Sequence, residues 1–384
     1  METVGTFLSQ RRTQGLLRSL HPSTQRCRGR IQYQDRWYLD LSSNDYLGLA
    51  DDAHLKQAST AAIEQYGTGS GAARLLSGDS ALIHELETRT AVLKGKPAAL
   101  VFNSGYQANV GIISALCARG DAVLCDRLSH ASILDGVALS GARLFRFRHN
   151  DVEHLESLLV KTAGRFRRRL VVTESLFSMD GDMAPLPALV AATQSHEVMV
   201  LVDEAHATGL YGPGGSGLVA EQGVTEQVDL VMGTYSKGLG GFGGYVACAQ
   251  EMKDYFVNSA RSFIYSTALP PGVVAGNLAA LDVLAQQPER RMELLIRAAW
   301  LREKLTQRGL TTRGNSQIIP WMVGRAALAC QRSEQLQSRG FWVLPVRPPT
   351  VPAGQARLRL SVTCAHTRED LEGLLAAIDE VRDV

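Results

Sequence analysis

Short apolar runs alternate with helical patterns through the middle of the chain. Each run consists mainly of apolar residues and ends at a polar or glycine-rich turn. The runs lie at residues 122–125, 144–147, 170–173, 199–202 and 230–232. Runs of this length are typical of buried strands, and their alternation with helices is typical of a mostly parallel sheet with right-handed crossovers. The pattern therefore predicts an α/β fold for this region.

The two ends of the chain show a different pattern. Residues 16–20 predict a short amphipathic helix, and residues 37–41 alternate as a strand does. Beyond residue 270 the pattern predicts a long helix, three strands and a final helix. These lie at residues 291–305, 318–323, 341–346, 358–362 and 370–381. The C-terminal part is therefore expected to form a smaller α+β domain.

Two polar residues follow apolar runs at positions where chemistry is expected. Asp203 ends the run at 198–202, and Lys237 lies in a glycine-rich segment after the run at 228–232. In an open α/β sheet, ligands bind at the carboxyl ends of the strands. A lysine in such a segment is ordinarily a solvated loop charge. The neighbouring aspartate makes a cofactor-linked lysine the alternative.

Pyridoxal phosphate requires three groups that this chain offers. A lysine amine forms a Schiff base with its aldehyde, a carboxylate keeps its ring nitrogen protonated, and the N–H groups of a helix start bind its phosphate. Lys237, Asp203 and a helix predicted to open at the Ser-Gly step of residues 104–105 supply them. That last segment taken alone could be an ordinary capped helix. Together the three predict a pyridoxal phosphate site.

These motifs, with residues 128–132 and 347–354, resemble the α-oxoamine synthases, which are fold-type-I pyridoxal phosphate enzymes. Members of this family join an amino acid to an acyl thioester with loss of carbon dioxide. The resemblance implies a large domain with a mostly parallel seven-stranded sheet at residues 51–284. It also implies an N-terminal segment at residues 1–50 that packs with a small α+β domain at residues 285–384.

The resemblance also implies roles for individual residues. Lys237 would hold the cofactor and then remove the Cα proton, Asp203 would pair with the ring nitrogen, and His130 would stack on the ring. His206 would contact the ring's 3-oxygen. The expected cofactor-binding residues are Gly105, Tyr106, His130, Ser178, Asp203, His206, Thr234 and Lys237, of which Lys237 and His130 are catalytic. Metal ligation by Asp203 and His206 is an alternative without further ligands at suitable spacing, so no metal site is predicted.

Substrate contacts follow from the same resemblance. The residues expected to contact substrate are Arg18, Asn44, His130, Thr350 and Arg359. Arg359 matches the residue that binds the amino acid's carboxylate, but strand alternation places Arg357 on the same face, so either guanidinium could do this. Arg347 favours the branch that condenses L-alanine with a pimeloyl thioester over siblings that use glycine, such as glycine C-acetyltransferase. The thioester could be carried on coenzyme A or on an acyl carrier protein.

The resemblance further implies a homodimer with shared active sites. Residues 265–267 match a stretch that contacts the cofactor phosphate of the neighbouring subunit, and Thr267 is the residue in question.

Two glycine-rich segments could be mistaken for nucleotide sites. Residues 66–74 lack the lysine and hydroxyl residue of a P-loop, and residues 238–243 match G-x-G-x-x-G but precede a strand-like run instead of a helix. A dehydrogenase is therefore disfavoured.

Composition narrows the remaining classes. The formal net charge of +2 gives no reason to expect nucleic acid or an anionic membrane as a partner. The six cysteines show no metal-type or disulfide-type spacing, and no signal-like or membrane-spanning run occurs, which predicts a cytoplasmic location. A non-catalytic sensing module of the same fold is the remaining alternative, although no DNA-binding pattern accompanies it.

Overall fold

The computed structural model describes residues 3–382. Contacts divide the chain into two compact units. The first, called the central unit, comprises Asp52–Ser178 and Met183–Arg291. The second, called the terminal unit, comprises Met179–Asp182 together with residues 3–51 and 292–382. This division falls between Arg291 and Met292, whereas the sequence prediction placed the boundary after residue 284.

The elements alternate in the middle of the chain and become irregular at both ends. The strands are β1 Gln25–Cys27, β2 Arg30–Tyr33, β3 Arg36–Asp40, β4 Ala98–Phe102, β5 Ala122–Asp126, β6 Arg143–Phe147, β7 Arg169–Glu174, β8 Met199–Asp203, β9 Leu230–Thr234, β10 Gly244–Cys248, β11 Ile318–Gly324, β12 Phe341–Trp342, β13 Pro345–Val346 and β14 Ala356–Ser361. The helices are α1 Val4–Thr13, α2 Ala53–Tyr66, α3 Ala81–Lys94, α4 Gly105–Leu116, α5 Ala131–Ser140, α6 Val152–Thr162, α7 Leu186–Thr193, α8 Leu218–Glu221, α9 Gln250–Ser259, α10 Arg261–Ile264, α11 Pro271–Gln286, α12 Glu289–Gln307, α13 Ala326–Ser338 and α14 Arg368–Arg382.

The central unit contains the predicted sheet. Among residues 3–382 this sheet has seven strands, in the order β4-β10-β9-β8-β7-β5-β6. The strands from β9 to β6 pair in parallel, and β10 is antiparallel to both β9 and β4. The α/β prediction is therefore confirmed, with β10 as the antiparallel exception.

The core of the central unit explains why these segments become strands and helices. Ile112, Ile113 and Leu116 recur at helical spacing on α4 and join the cluster of buried sheet residues that includes Val123 and Leu201. Burial of each such side chain stabilises the fold by roughly 1.5–3 kcal/mol. Strands buried on both faces place polar residues mainly at their ends. The last residues of β7 and β8 are two such residues, Glu174 and Asp203.

The terminal unit contains two smaller sheets, with the strand orders β1-β2-β3-β12 and β11-β14-β13. The prediction of one strand over residues 341–346 was wrong, because that segment is split between the two sheets. The carbonyl of Val343 accepts a hydrogen bond from Ser333, and the amide of Leu344 donates to Ser42. These side chains replace strand partners at the point where the chain changes sheet.

The predicted helix at residues 16–20 was also wrong. The N-terminal helix is α1, which is capped by the hydroxyl of Thr3 and ends before Gly15. Gly15 has a φ of 64°, a left-handed conformation that commonly ends helices. The amides of Leu16 and Leu17 donate back to the carbonyl of Arg11 and do not continue a helix. Across residues 3–382, no helix is both long enough and apolar enough to cross a bilayer.

Candidate active site

A cavity of about 240 Å³ lies at the carboxyl ends of the central strands. It brings together most of the predicted cofactor-binding residues, namely Gly105, Tyr106, His130, Asp203, His206, Thr234 and Lys237. Ser178, also predicted, is not among the residues that line it. The lining also contains polar residues that the sequence prediction left out of the site, among them Asn109, Ser132, Glu174 and Ser236.

Asp203 supplies a buried carboxylate. It is the last residue of β8 and is 5% exposed. Asn109 Nδ2 donates to Oδ2 at 2.9 Å, and the amide of Ala205 donates to Oδ1 at 2.9 Å. Among the ion pairs of residues 3–382, none involves Asp203. A carboxylate held by N–H donors alone is suited to pair with a cationic group of a ligand.

Lys237 and His206 form a hydrogen-bonded pair in the cavity. The amine Nζ lies 3.0 Å from His206 Nε2, and His206 is buried on the turn that follows β8. The contact between His206 and the cofactor's 3-oxygen stays a prediction, and in the structure His206 contacts the amine. Lys237 is therefore not the solvated loop charge that its glycine-rich segment allowed.

The segment that carries Lys237 is held by main-chain hydrogen bonds and by the side chain of Asn277 on α11. The amide of Tyr235 donates to Gly243 at 3.0 Å, and the amide of Gly241 donates back to Tyr235 at 2.9 Å. The side chain of Asn277 donates to the carbonyl of Phe242 at 2.9 Å and accepts from its amide at 3.2 Å. A Cβ added at Gly241 would lie 2.0 Å from Asn277 Oδ1, so this position requires glycine.

The start of α4 forms one end of the cavity, and its chemistry suits an anion. Ser104 caps the helix by accepting from the amide of Gln107 at 3.1 Å. The amides of the first helical turn, beginning at Gly105, have no intrahelical acceptors and carry the positive end of the helix dipole. A Cβ at Gly105 would come within 3.6 Å of Thr234 Cβ, so its absence widens the space between the helix start and the end of β9.

Two hydroxyl groups lie at this same end. Thr234 Oγ1 donates to the carbonyl of Gly243 at 2.6 Å and accepts from the amide of Ser236 at 3.1 Å. The hydroxyls of Thr234 and Ser236 are 2.7 Å apart. The proton of Thr234 is thus used within the protein, and Ser236, which the sequence prediction missed, presents its hydroxyl to the cavity.

His130 is held in one tautomer. It is the N-cap of α5, and its Nδ1 accepts from the amide of Ser132 at 3.3 Å. Because a main-chain N–H can only donate, Nδ1 carries no proton, and the Ser132 hydroxyl at 2.8 Å is also a donor to it. Partial desolvation of the ring lowers the pKa of His130, which agrees with a neutral imidazole. Tyr106 packs edge-on against this ring at 6.2 Å between centroids.

Asn109 links the carboxylate of Asp203 to the side chain that holds His130. Its Nδ2 donates to Asp203 at 2.9 Å and to Ser132 Oγ at 2.9 Å, and Ser132 in turn contacts His130. Asn109 lies five residues after the cap Ser104 on α4. A helical wheel could have placed Asn109 near the site, but only the packing of α4 on the sheet shows what it contacts.

In the terminal unit, four of the predicted substrate residues form two contacts. Arg18 donates to Thr350 Oγ1 at 2.8 Å, and Arg359 donates to Asn44 Oδ1 at 3.1 Å. Arg359 also donates to Ser361 Oγ at 2.7 Å. These partners are neutral groups.

Arg357 is placed differently from Arg359. It is fully buried, and its guanidinium donates to Asp180 Oδ1 at 2.8 Å and to the carbonyl of Met179 at 3.1 Å. Burial lowers the pKa of Arg357, and the carboxylate of Asp180 opposes that shift. The charge of Arg357 is therefore compensated inside the protein by a carboxylate that it shares with Arg313.

Two further predictions concern Thr267 and metals. The carbonyl of Thr267 accepts from Asn103 Nδ2 at 2.8 Å, so the main chain of this segment is tied to the end of β4. Within residues 3–382, no cluster of three or more His, Cys, Asp or Glu side chains is arranged to hold a metal ion.

Comparisons with known proteins identify the family of the chain. The sequence model of the family "Aminotransferase class I and II" matches residues 37–378. The 8-amino-7-oxononanoate synthase of Geobacter sulfurreducens is 49% identical over 378 residues, which cover 97% of this chain and 96% of that one.

Solved structures show the same fold. A serine palmitoyltransferase from S. paucimobilis with a bound PLP–myriocin aldimine superposes with a TM-score of 0.93 at 32% identity and covers 99% of this chain and 98% of its own. An 8-amino-7-oxononanoate synthase from Francisella tularensis superposes with a TM-score of 0.79 at 28% identity and covers 90% and 98%.

Proposed function

Because the chain belongs to the α-oxoamine synthases, within the class I and II aminotransferase family, we propose that it condenses L-alanine with a pimeloyl thioester. The thiol of the acyl donor and carbon dioxide both leave, and the product is 8-amino-7-oxononanoate, an amino ketone on the route to biotin. The observation that carries this proposal is that Lys237 and Asp203 line one cavity beside a helix start.

The residues of the cavity fit pyridoxal phosphate, the cofactor of this family. Lys237 would hold its aldehyde, Asp203 its ring nitrogen, and the start of α4 with Ser236 its phosphate. The fit rests on a buried carboxylate without a cationic partner in residues 3–382 and on the space left by Gly105. When bound, the cofactor stabilises negative charge at the Cα atom of the amino acid.

Proton transfer falls to Lys237 and His206. The two nitrogens are 3.0 Å apart, within range for one proton to be shared between them. The amine can take the Cα proton of alanine while His206 keeps it oriented. Burial of His206 excludes bulk water from this exchange.

His130 supplies a neutral hydrogen-bond donor. Since Nδ1 accepts from Ser132, the proton on Nε2 is available to the cavity. A fixed donor of this kind stabilises charge that develops on a carbonyl oxygen when a carbanion attacks the thioester.

We assign the binding of the alanine carboxylate to Arg359 and not to Arg357. Arg357 already pairs with Asp180, whereas Arg359 donates to the neutral groups of Asn44 and Ser361. A guanidinium can form the bidentate pair that a planar carboxylate requires. Arg18 and Thr350, which contact each other, are proposed to contact the acyl substrate.

The assembly and location belong to the same proposal. We propose a cytoplasmic homodimer in which Thr267 contributes to the phosphate site of the partner subunit. The acyl donor is pimeloyl-coenzyme A or a pimeloyl-carrier protein.

The test is a substrate panel with purified protein. L-alanine, glycine and L-serine are each combined with pimeloyl, acetyl and palmitoyl thioesters, and carbon dioxide release is measured. We expect alanine with the pimeloyl thioester to give the highest kcat/KM. Faster turnover of glycine with the acetyl thioester, or of serine with the palmitoyl thioester, would reassign the substrates within the family.

A further inference from the structure

Two buried carboxyl groups lie side by side beneath the cavity. Glu174 ends β7 and Asp203 ends β8, and the two residues are direct partners in the parallel register of these strands. Glu174 is 4% exposed and Asp203 is 5% exposed, and both line the cavity. The proposed function gives a role to Asp203 only.

The two carboxyl groups have different hydrogen-bond partners. Asp203 accepts an N–H on each oxygen, from Asn109 and from Ala205. Glu174 Oε1 accepts the amide of His130 at 2.7 Å. In the described part of the chain, residues 3–382, no group donates to its Oε2, although that oxygen belongs to a residue lining the cavity.

This asymmetry decides which group carries charge. Two carboxylates in adjacent buried positions repel strongly, so one of them keeps a proton. Asp203 has the better set of donors and is the group stabilised as an anion. Glu174 has an oxygen that accepts nothing and can therefore hold a proton without losing a hydrogen bond.

We propose that Glu174 is a positioning residue that works as a neutral carboxylic acid, with Oε1 fixing the main chain of His130 and Oε2 keeping a proton. Through its bond to the amide of His130, Glu174 sets the start of α5 and hence the direction of the imidazole. Its neutrality leaves Asp203 as the anion beneath the cavity. The catalytic part of this inference rests on the proposed function, whereas the protonation state does not.

The charged surroundings of Glu174 agree with this assignment. Burial raises the pKa of Glu174 well above its ordinary value, and the charges of Asp203 on β8 and Asp126 on β5 raise it further. The amide of His130 and the charge of Lys237 lower it and do not reverse the shift.

The first experiment measures the proton itself. Infrared difference spectra of the cofactor-free protein, wild type minus Glu174→Gln, should contain the carbonyl band of a protonated carboxylic acid at about pH 7. In an Asp203→Asn background the titration midpoint of this band should move to lower pH, because the neighbouring charge is gone. A spectrum with only carboxylate bands at that pH would overturn the proposal.

Unfolding gives a second readout that needs no cofactor. A group whose folded pKa is raised contributes stability that is complete below its unfolded pKa and is lost as pH rises through the folded pKa. The urea midpoint of the wild type should therefore fall relative to that of Glu174→Gln as pH rises from the ordinary range of a glutamate towards the raised folded pKa of Glu174. Parallel midpoints over this range would contradict a buried proton at Glu174.

Kinetics of the cofactor-loaded enzyme separate the effect of the charge of Glu174 from its effect on the position of His130. Gln keeps both the acceptor for His130 and a donor, so kcat/KM should stay within about threefold of wild type. Ala removes the anchor of His130 and should reduce kcat by about 10²-fold. A loss in Glu174→Gln as large as in Glu174→Ala would overturn the proposal. If the wild type does not turn over alanine with the pimeloyl thioester while the infrared band is present, the proposed function fails and the protonation of Glu174 stands.

Discussion

Lys94 and Lys237 are both held by the turn that follows β8, yet their surroundings differ. Lys94 is 1% exposed at its side chain and donates to Glu204 at 2.7 Å, to Thr208 at 2.9 Å and to the carbonyl of Ser216. Lys237 lies 3.0 Å from the ring nitrogen of His206 and lines the cavity. The two partners on the turn, Glu204 and His206, are only two residues apart.

Lys94 has the surroundings of a structural lysine, and these differ from those of Lys237, the lysine proposed to react. An ammonium group has three N–H bonds, and Lys94 directs them to three oxygen acceptors, one of which is a carboxylate. Burial lowers the pKa of Lys94, and the charge of Glu204 opposes that shift. Lys237 has a nitrogen base beside it and faces a space that a substrate can enter.

The largest expected effect is on activity at Lys237. Lys237→Ala should reduce turnover by about 10³-fold or more, because it removes both the cofactor attachment and the proton acceptor. The visible absorbance of the bound cofactor should change at the same time, while the thermal unfolding midpoint of the cofactor-free protein stays near that of wild type. Retention of turnover would remove Lys237 from the mechanism.

Lys94 should give the opposite outcome. Lys94→Met leaves Glu204 buried without its cation, which should lower the free energy of unfolding by about 3–5 kcal/mol. Turnover per folded molecule should remain. The matched control is Lys161→Met, at an exposed position near the end of α6. Its free energy of unfolding should change by less than about 0.5 kcal/mol. Urea unfolding measures both, and equal effects would show that the buried pair contributes nothing.

His366 is a fully buried base that stays neutral and so avoids a buried charge. Its Nδ1 accepts from the amide of Thr363, and its Nε2 contacts the carbonyl of Asp40. Burial lowers the pKa of His366 to about 4. Because the folded pKa is depressed, the contribution of neutral His366 to the free energy of unfolding is complete above the unfolded pKa near 6.5. This contribution is lost as pH falls through about 4. The loss should be about 3 kcal/mol.

Unfolding experiments on His366→Gln test this directly. The variant can keep one of the two hydrogen bonds but cannot bind a proton. Its stability should therefore fall less steeply than that of wild type over this pH range, and identical slopes would show that His366 does not titrate there.

The smallest expected effect is at Thr208. Thr208→Val removes one acceptor of Lys94 and leaves one N–H bond of a buried ammonium unsatisfied, which should cost about 1–3 kcal/mol. Combining it with Lys94→Met should give less than the sum of the two changes, because both act on the same group. Additive unfolding free energies would show that Thr208 does not contribute through Lys94.

Much of the fold and part of the site could be predicted from the sequence. Asp203 and Lys237 stood out because each follows an apolar run, and the carboxyl ends of such runs meet at one sheet edge. The same argument applied to Glu174, at the end of β7, but its significance depends on the register that places it beside Asp203. Register between strands that are distant in sequence cannot be read from local patterns.

The other differences have the same origin. Strand alternation could not separate Arg357 from Arg359, because the distinction comes from Asp180, which lies far away in the chain. The predicted helix at residues 16–20 failed because the left-handed Gly15 ends α1 and the chain folds back on Arg11. In each case a contact made by a remote or conformationally special residue overrides a local pattern.

The antiparallel strand β10 has a consequence for turnover. Because β9 and β10 are adjacent, the segment between them leaves and re-enters one sheet, and Asn277 clamps its far side. The backbone at Lys237 is thus anchored, while the four-carbon side chain above it keeps its rotatable bonds. In the proposed reaction, an anchored backbone would return the Lys237 amine to the same position after each turnover.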